Sequence, residues 1–416
     1  MTNKVTAIDK ISMIVLLLAP ILWIYGNPGG WSYEVIFTLP LSFFYFLHYL
    51  FSKGNITGSK DPLPKGLLWY FIYWTVLFVL TAMQLPLSMI QTYLAFFLFF
   101  ATFRDEYFIK IYKAFALICI VFFFVQEASF YLTGIRVSGI MRFLPLHGEM
   151  SMSEKVGMLA ESLRSSSFFS EPAHFAQFLL PLFALEIFYD KHKTHILFAV
   201  SIGAALLFLR SGNGLLGMAA ILVFLIPYYL GRGRKNRILT FVVAALFIGV
   251  VAYYYVNSEM GASLLERQDE ISMDYEGGSR SGFLRMWRGL FVFEDYSVVE
   301  KLVGCPNETT QLSHVASSGM LMVDTAELYF NAFWKILLNT GFIGLGIFIY
   351  IIVGLWRGNN VCGKAILASL IALSLIAGIY MSHTMILFLV LAKSMKSAPE
   401  GAVISIKRKK QIEAVV

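Results

Sequence analysis

Long, solidly apolar runs separated by short polar breaks dominate the chain. Many approach the bilayer-spanning length of ~20 residues. A run such as "FALICIVFFFVQEASFYL" shows no alternation of period two, which sets aside a membrane barrel and leaves helices as the spanning element. The pattern predicts spans at 11–25, 33–51, 67–83, 87–103, 111–133, 173–189, 196–209, 215–230, 238–256, 333–355 and 365–380. A short apolar piece at 385–392 either turns back as a twelfth helix or re-enters. The expected fold is an all-α polytopic membrane protein, one integral domain over 1–416, with 11–12 transmembrane helices. Two long loops interrupt the runs, at 134–169 and 257–330, the larger one late, and a basic tail occupies 394–416.

Composition agrees with this picture. Of the 416 residues 58% are hydrophobic and 14% charged, with a mean hydropathy of +0.69, whereas a soluble domain carries about 25% charged residues. Lys4 and Lys10 precede the first run as they would in a signal peptide. The following "LAPILWIYGNPGG" offers no small-x-small cleavage site, so the run reads as an uncleaved first helix. The three cysteines, Cys119, Cys305 and Cys362, are scattered in a way that suits neither a disulfide framework nor a metal site.

The net charge of +7 would suggest a nucleic-acid partner if it were not sorted by side. Lys4 and Lys10, "SKGNITGSKDPLPK", "RDEYFIKIYK", "DKHK", "GRGRKNR", "RGNNVCGK" and "KRKK" fall on one face, which the positive-inside rule makes cytoplasmic. That face carries sixteen Lys and six Arg. The opposite face reverses the ratio, with two Lys and eight Arg: Arg136, Arg142, Arg164, Arg210, Arg267, Arg280, Arg285 and Arg288. External positive charge runs against the positive-inside rule. Arginine's planar fork binds phosphate oxygens in pairs and stays charged, so an anionic external ligand such as phosphate is one reading. Pairing with nearby acids is the other.

The densest external chemistry lies in "RSSSFFSEPAHFAQF", residues 164–178. Pro172 suits a first helical turn and Ser170 an N-cap. Glu171 then stands at a helix mouth, either as a dipole-favoured carboxylate or as a base or acceptor-orienting group. His174 follows one turn in, as a hydrogen-bonded helix histidine or a catalyst. Arg210 ends a helix in "LFLRSGNGLLG", where a tight turn over 212–214 would hold it near Arg164. "GGSRSGFLRMWRGLFVFED" reads as a short amphipathic helix carrying Arg280, Arg285 and Arg288. It would either lie on headgroups or reach over a lipid-linked diphosphate. His314, Asp324 and Glu327 precede the tenth span, as solvated loop residues or as ligand contacts. Walker, HExxH, GxSxG and paired zinc-ligand motifs are absent, so no cofactor or metal is expected.

Together, "RSSSFFSEPAHFAQFLLP", "SRSGFLR", "NAFWKILLNTGFIGLG" and the late large loop resemble the O-antigen polymerase family and its relative, the O-antigen ligase family. The resemblance runs from about residue 103 to 350. It implies an integral membrane glycosyltransferase of the bacterial inner membrane, working at the outer face on glycans carried by undecaprenyl diphosphate. A polysaccharide chain-length regulator is a further partner it suggests. Ligases carry a His-Asn pair before the "GxxGL" helix; here Asn331 fits, but Phe330, eleven positions before Gly341, stands where the histidine would be. Polymerase is therefore favoured over ligase, and a flippase or transporter is the alternative from another class.

On that reading the protein stabilises a leaving diphosphate and deprotonates an acceptor hydroxyl. Arg164, Arg210, Arg280 and Arg285 form the expected diphosphate set, Glu171 and His174 the catalytic pair, and His314 and Glu327 possible acceptor contacts. The orientation is tested by cysteine labelling. Cysteines placed at Lys60, Arg234 and Asn360 should react only from the cytoplasm, and those at Lys155 and Gly278 only from outside. Cytoplasmic labelling of Gly278→Cys would overturn the external site.

Overall fold

Backbone groups without access to water must pair within their own segment or with protein nearby, and the described chain does so almost wholly as helix. The computed structural model describes residues 5–27, 30–51, 63–82, 87–147, 164–189, 196–225, 281–307, 310–311, 313–314 and 330–396. Among the described residues there are thirteen helices and no strand, apart from isolated bridges joining Tyr25 to Leu146 and Gly26 to Ser32. The helices are α1 Ala7–Leu22, α2 Tyr33–Phe51, α3 Leu67–Ala82, α4 Leu87–Thr102, α5 Asp105–Thr133, α6 Pro172–Phe188 and α7 Ile196–Phe208. They continue as α8 Gly212–Leu222, α9 Ser281–Asp295, α10 Val298–Val303, α11 Ala332–Trp356, α12 Val361–Ser374 and α13 His383–Lys396. By length and composition α2, α5 and α11 are apolar enough to cross a membrane, and α3, α4, α6, α7, α8 and α12 are shorter apolar helices. The span expected at 238–256 lies outside the described residues, as does most of the basic tail.

Several boundaries differ from the hydropathy pattern, each for a local reason. Helix α1 starts at Ala7 because Thr6 and Asp9 form a capping box: the Asp9 N–H donates to Thr6 Oγ1 at 3.2 Å and the Thr6 N–H to Asp9 Oδ2 at 3.0 Å. Much of the expected loop "RDEYFIKIYK" is the first turns of α5. Asp105 and Glu106 suit the positive end of a helix, and Phe108, Ile109 and Tyr112 are buried. The turn expected over 212–214 is instead the start of α8, with Ser211 at its N-cap. The apolar piece at 385–392 is the middle of α13.

Side-chain contacts define two ends of the bundle. At one, Arg104 meets Asp9 at 3.5 Å, Lys113 pairs with the buried Glu186, Lys393 lies over the Phe100 ring and Lys396 donates to the Gly354 carbonyl. At the other, His383 Nδ1 lies 2.7 Å from Glu34 Oε1, Trp23 meets His174 edge-on, and the Met141 N–H donates to the Tyr25 hydroxyl. We call these the lysine end and the arginine end. Helix α13 starts beside Glu34 at the arginine end and finishes beside Gly354 at the lysine end.

Helices α6, α12 and α13 are buried along most of their length, while α2, α3 and α5 show apolar side chains such as Phe44, Trp69, Leu80 and Ile118 on the outside. Between helices in lipid, close approach of small residues replaces the hydrophobic effect. Gly217 of α8 leaves no room for a Cβ against Leu180 of α6, and Gly214 faces Ala176 one turn away.

Helix α11 is broken. Gly341 has φ 59° and ψ −167° inside an otherwise helical run, and Gly304, at φ 88°, sits in the gap. The Cys305 N–H donates to the Leu338 carbonyl at 2.8 Å, pairing one of the groups the break exposes. Tyr73 donates to the Val303 carbonyl, and Gln311 bridges the Cys305 carbonyl and Asn339 Oδ1. Val292, Tyr296, Cys305, Phe330 and Leu338 form a small second core, so α9 and α10 are docked onto the first half of α11.

A Cβ on Gly304 would lie 2.4 Å from the Thr340 nitrogen. Gly304→Ala combines that overlap with an unfavourable φ and should cost about 2–4 kcal/mol. A lowered unfolding midpoint of the purified protein in detergent checks this; Gly346→Ala, with open space around its Cβ, is the control.

Candidate functional site: the arginine end

The serine-rich segment before α6 is a buried clip. Ser165, Ser166, Ser167, Phe169 and Ser170 are all buried. Ser167 takes a left-handed φ of 55°, which a non-glycine residue holds only when its surroundings fix it. The fixing group is Gln126 of α5: its Oε1 accepts from the Ser167 N–H at 2.8 Å, and its Nε2 donates to the Val137 and Ser167 carbonyls. Ser167 Oγ donates to the Cys119 carbonyl at 2.8 Å. Phe168 stacks on Phe122 at 4.4 Å and Phe169 on Phe175 at 5.1 Å. Gly139 passes so close that a Cβ there would lie 1.8 Å from the Ser167 oxygen. The serines are small enough to be enclosed and polar enough to hold the turn.

This clip sets the mouth of α6. Glu171, not Ser170, is the N-cap residue, with Pro172 in the first turn. The Ser170 hydroxyl is engaged instead with His174 Nδ1 at 2.8 Å. The Glu171 side chain makes no cap hydrogen bond and is exposed, so the carboxylate is presented outward beside the positive helix end. His174 is half-buried, held between Ser170 and the edge of Trp23 at 5.5 Å.

Arg164 and Arg210 do come together, by a route other than the expected turn. Arg210 itself makes the turn between α7 and α8, with φ 48°. Its carbonyl accepts from Arg164 Nη1 at 3.3 Å, and its own Nη2 donates to the Tyr131 hydroxyl at 3.2 Å. Arg136, absent from the expected phosphate set, belongs to the same patch. Gly134 caps α5 in the left-handed region, turning the chain so that Arg136 lies over the Phe130 ring at 4.1 Å and beside Glu127 at 3.5 Å. Burial pulls the Arg136 guanidinium below its ordinary pKa, Glu127 opposes that, and the nearby Arg210 charge adds to it. The available sequence signal was the spacing of Glu127, Phe130 and Tyr131, which share one helix face.

Of the remaining predicted residues, His314 has its described contacts in another part of the structure. His314 lies 3.9 Å from Asp295 and against the Tyr296 ring, within the α9–α10 lobe. Arg285 lies in α9, but its side chain is outside the described residues, as are Arg280 and Glu327 entirely. Arg288 of α9 is buried, and burial lowers its pKa. Asn331, which matched the ligase pair, caps α11: its Oδ1 accepts from the Trp334 N–H at 2.9 Å and its Nδ2 donates to the Leu375 carbonyl at 2.7 Å. The chain matches no protein-family model and no curated protein.

Proposed function

We propose that the chain is an inverting membrane glycosyltransferase that joins undecaprenyl-diphosphate-linked repeat units into an O-antigen or capsular polysaccharide. The observation that carries this reading is the contact of Arg164 with Arg210 beside the buried serine clip. Sequence segments far apart there bring guanidinium groups to one end of an apolar bundle. In this proposal the arginine end faces the periplasm or exterior of the inner membrane, since the lysines gather at the opposite end.

The donor is the growing glycan on its lipid diphosphate, and the acceptor is the sugar end of a single lipid-linked repeat. Arg164 and Arg210 neutralise charge as the diphosphate leaves, the role for which fixed donors are most effective. Arg280 and Arg285 would add to them from the late loop. Glu171, exposed at the mouth of α6, takes the acceptor proton, and His174 orients the acceptor. Direct displacement inverts the anomeric centre. No nucleotide or metal is called for, because the lipid diphosphate is already an activated leaving group.

Two other readings are weighed against particular features. A ligase would need a histidine where Phe330 is buried in the small second core, and Asn331 is engaged in capping. A lipid-linked oligosaccharide flippase would draw support from the break in α11, since transporters bind substrates at interrupted helices. Here the break is filled by Gly304 and Cys305, which favours a transferase.

In a host that makes lipopolysaccharide, deletion of the gene should leave lipid A-core capped with one repeat on gel separation. Bare core with long lipid-linked polymer would identify a ligase instead. Glu171→Gln should fold normally, costing about 1 kcal/mol or less through the helix dipole, yet make no polymer. Full-length polymer from that variant would remove Glu171 from the chemistry.

A further inference from the structure

Helix α11 leaves the arginine end at Asn331, whose Nδ2 donates to the Leu375 carbonyl, and reaches the lysine end where Lys396 donates to the Gly354 carbonyl. Gly341 stands about 15 Å along it from Asn331, with about 22 Å still to run to Trp356, at 1.5 Å per residue. The hydrocarbon of a bilayer is about 30 Å thick, so the break in α11 falls inside it. The chain that fills the break is α10 and the turn after it. A Cβ on Gly341 would lie 2.3 Å from the Leu302 oxygen, and Tyr73 of α3 donates to the Val303 carbonyl at 2.8 Å. The same level is reached from the lysine end: Gly66 lies against Ile351, and Tyr73 is about 10 Å farther up α3.

Non-helical backbone at membrane depth is tolerated only where its polar groups find partners in the protein. The turn meets that condition. The Gly304 N–H donates to the Glu300 carbonyl at 2.7 Å and the Cys305 N–H to the Leu338 carbonyl. The Val303 carbonyl accepts from Tyr73 and the Cys305 carbonyl from Gln311 Nε2 at 2.8 Å, while the buried Pro306 has no N–H to satisfy. The charges of α10 are also accounted for. Glu300 closes a capping box with Ser297, and Lys301 turns back toward α9, donating to the Glu294 carbonyl at 2.9 Å and lying over the Phe293 ring.

The outer face of α10 is apolar. Val298, Val299 and Leu302 are 74%, 66% and 48% exposed, at spacings of three and four that put them on one side. Water would make such a face costly. It continues into Phe342 and Ile343 just past the break, which are exposed on a helix apolar enough to cross a membrane, and Phe342 meets the Phe293 ring at 5.5 Å.

We propose that α10 and the turn over 304–306 form a re-entrant membrane element. The chain dips into the bilayer from the arginine end, lays Val298, Val299 and Leu302 against lipid hydrocarbon and turns back at Gly304. The proposal goes beyond the reaction above and holds whatever that reaction is. It anchors the lobe that carries α9 and His314 in lipid as well as on α11, so the bilayer itself sets the height of that lobe over the bundle.

The test is spin labelling of the full-length protein in phosphatidylcholine nanodiscs, with Val298→Cys, Val299→Cys and Leu302→Cys as separate variants at exposed positions. Ile118→Cys, on the outside of α5, is the lipid-facing reference. The native cysteines are buried, and the unsubstituted protein sets their background. Oxygen should collide with the three α10 labels severalfold more than a water-soluble nickel chelate does, as at Ile118→Cys. The oxygen-to-chelate ratio should rise from Val298→Cys to Leu302→Cys, because the tip lies deepest. Access dominated by the chelate at the α10 labels places α10 in water and overturns the proposal. Low access to both reagents overturns it as well, and gives the face to a protein cover such as the segment 238–256. A ratio that does not rise toward Leu302→Cys overturns the re-entry. Chelate-dominated access at Ile118→Cys overturns the membrane bundle on which the proposal stands.

Discussion

A polar group inside an apolar bundle must find its partner within the protein, and the arrangement of this chain follows from how it meets that demand. The carboxamide of Gln126 illustrates it: one side chain satisfies the Ser167 N–H and two carbonyls, and so fixes a strained turn against α5. Because the turn is fixed, Pro172 enters the first turn of α6 and Glu171 stands at its mouth. The break in α11 meets the same demand by insertion, with the Cys305 N–H reaching the Leu338 carbonyl. In each case a distant piece of chain supplies what the local segment lacks.

This explains which parts of the fold could be read from the residues. Helix existence follows from apolar runs, and α2 coincides with its expected limits of 33–51. The start of α5 was misplaced because charges in "RDEYFIKIYK" look like loop, whereas the charge of Lys113 is answered by Glu186 on another helix. The α11 break has no signature of its own. Gly341 looks like any glycine in an apolar helix until Gly304, far away in sequence, is seen in the gap.

The candidate site divides the same way. The places of Glu171, His174 and Arg210 at helix ends are legible in the sequence, because Pro172 marks one helix start and the polar break after Leu209 marks a helix end. Their partners are not: Ser170 was expected to cap α6 and instead engages His174, and the Arg164–Arg210 contact runs through a backbone carbonyl that residue type does not reveal. The Arg136–Glu127 pair is not legible in the residues, because the reversal at Gly134 that brings the two together is a backbone event.

Helix α13 has a consequence for biosynthesis. It is the latest of the described helices in the chain, yet Met385–Ala392 are buried, and it contacts α1, α4, α6 and α12. During synthesis the early helices therefore emerge with an inner face awaiting a segment the ribosome has not yet made. Formation of α1 and α4 and closure of the bundle are separate events in time. In the interval that face must be covered by lipid, by an insertase or by a temporary arrangement of the early helices.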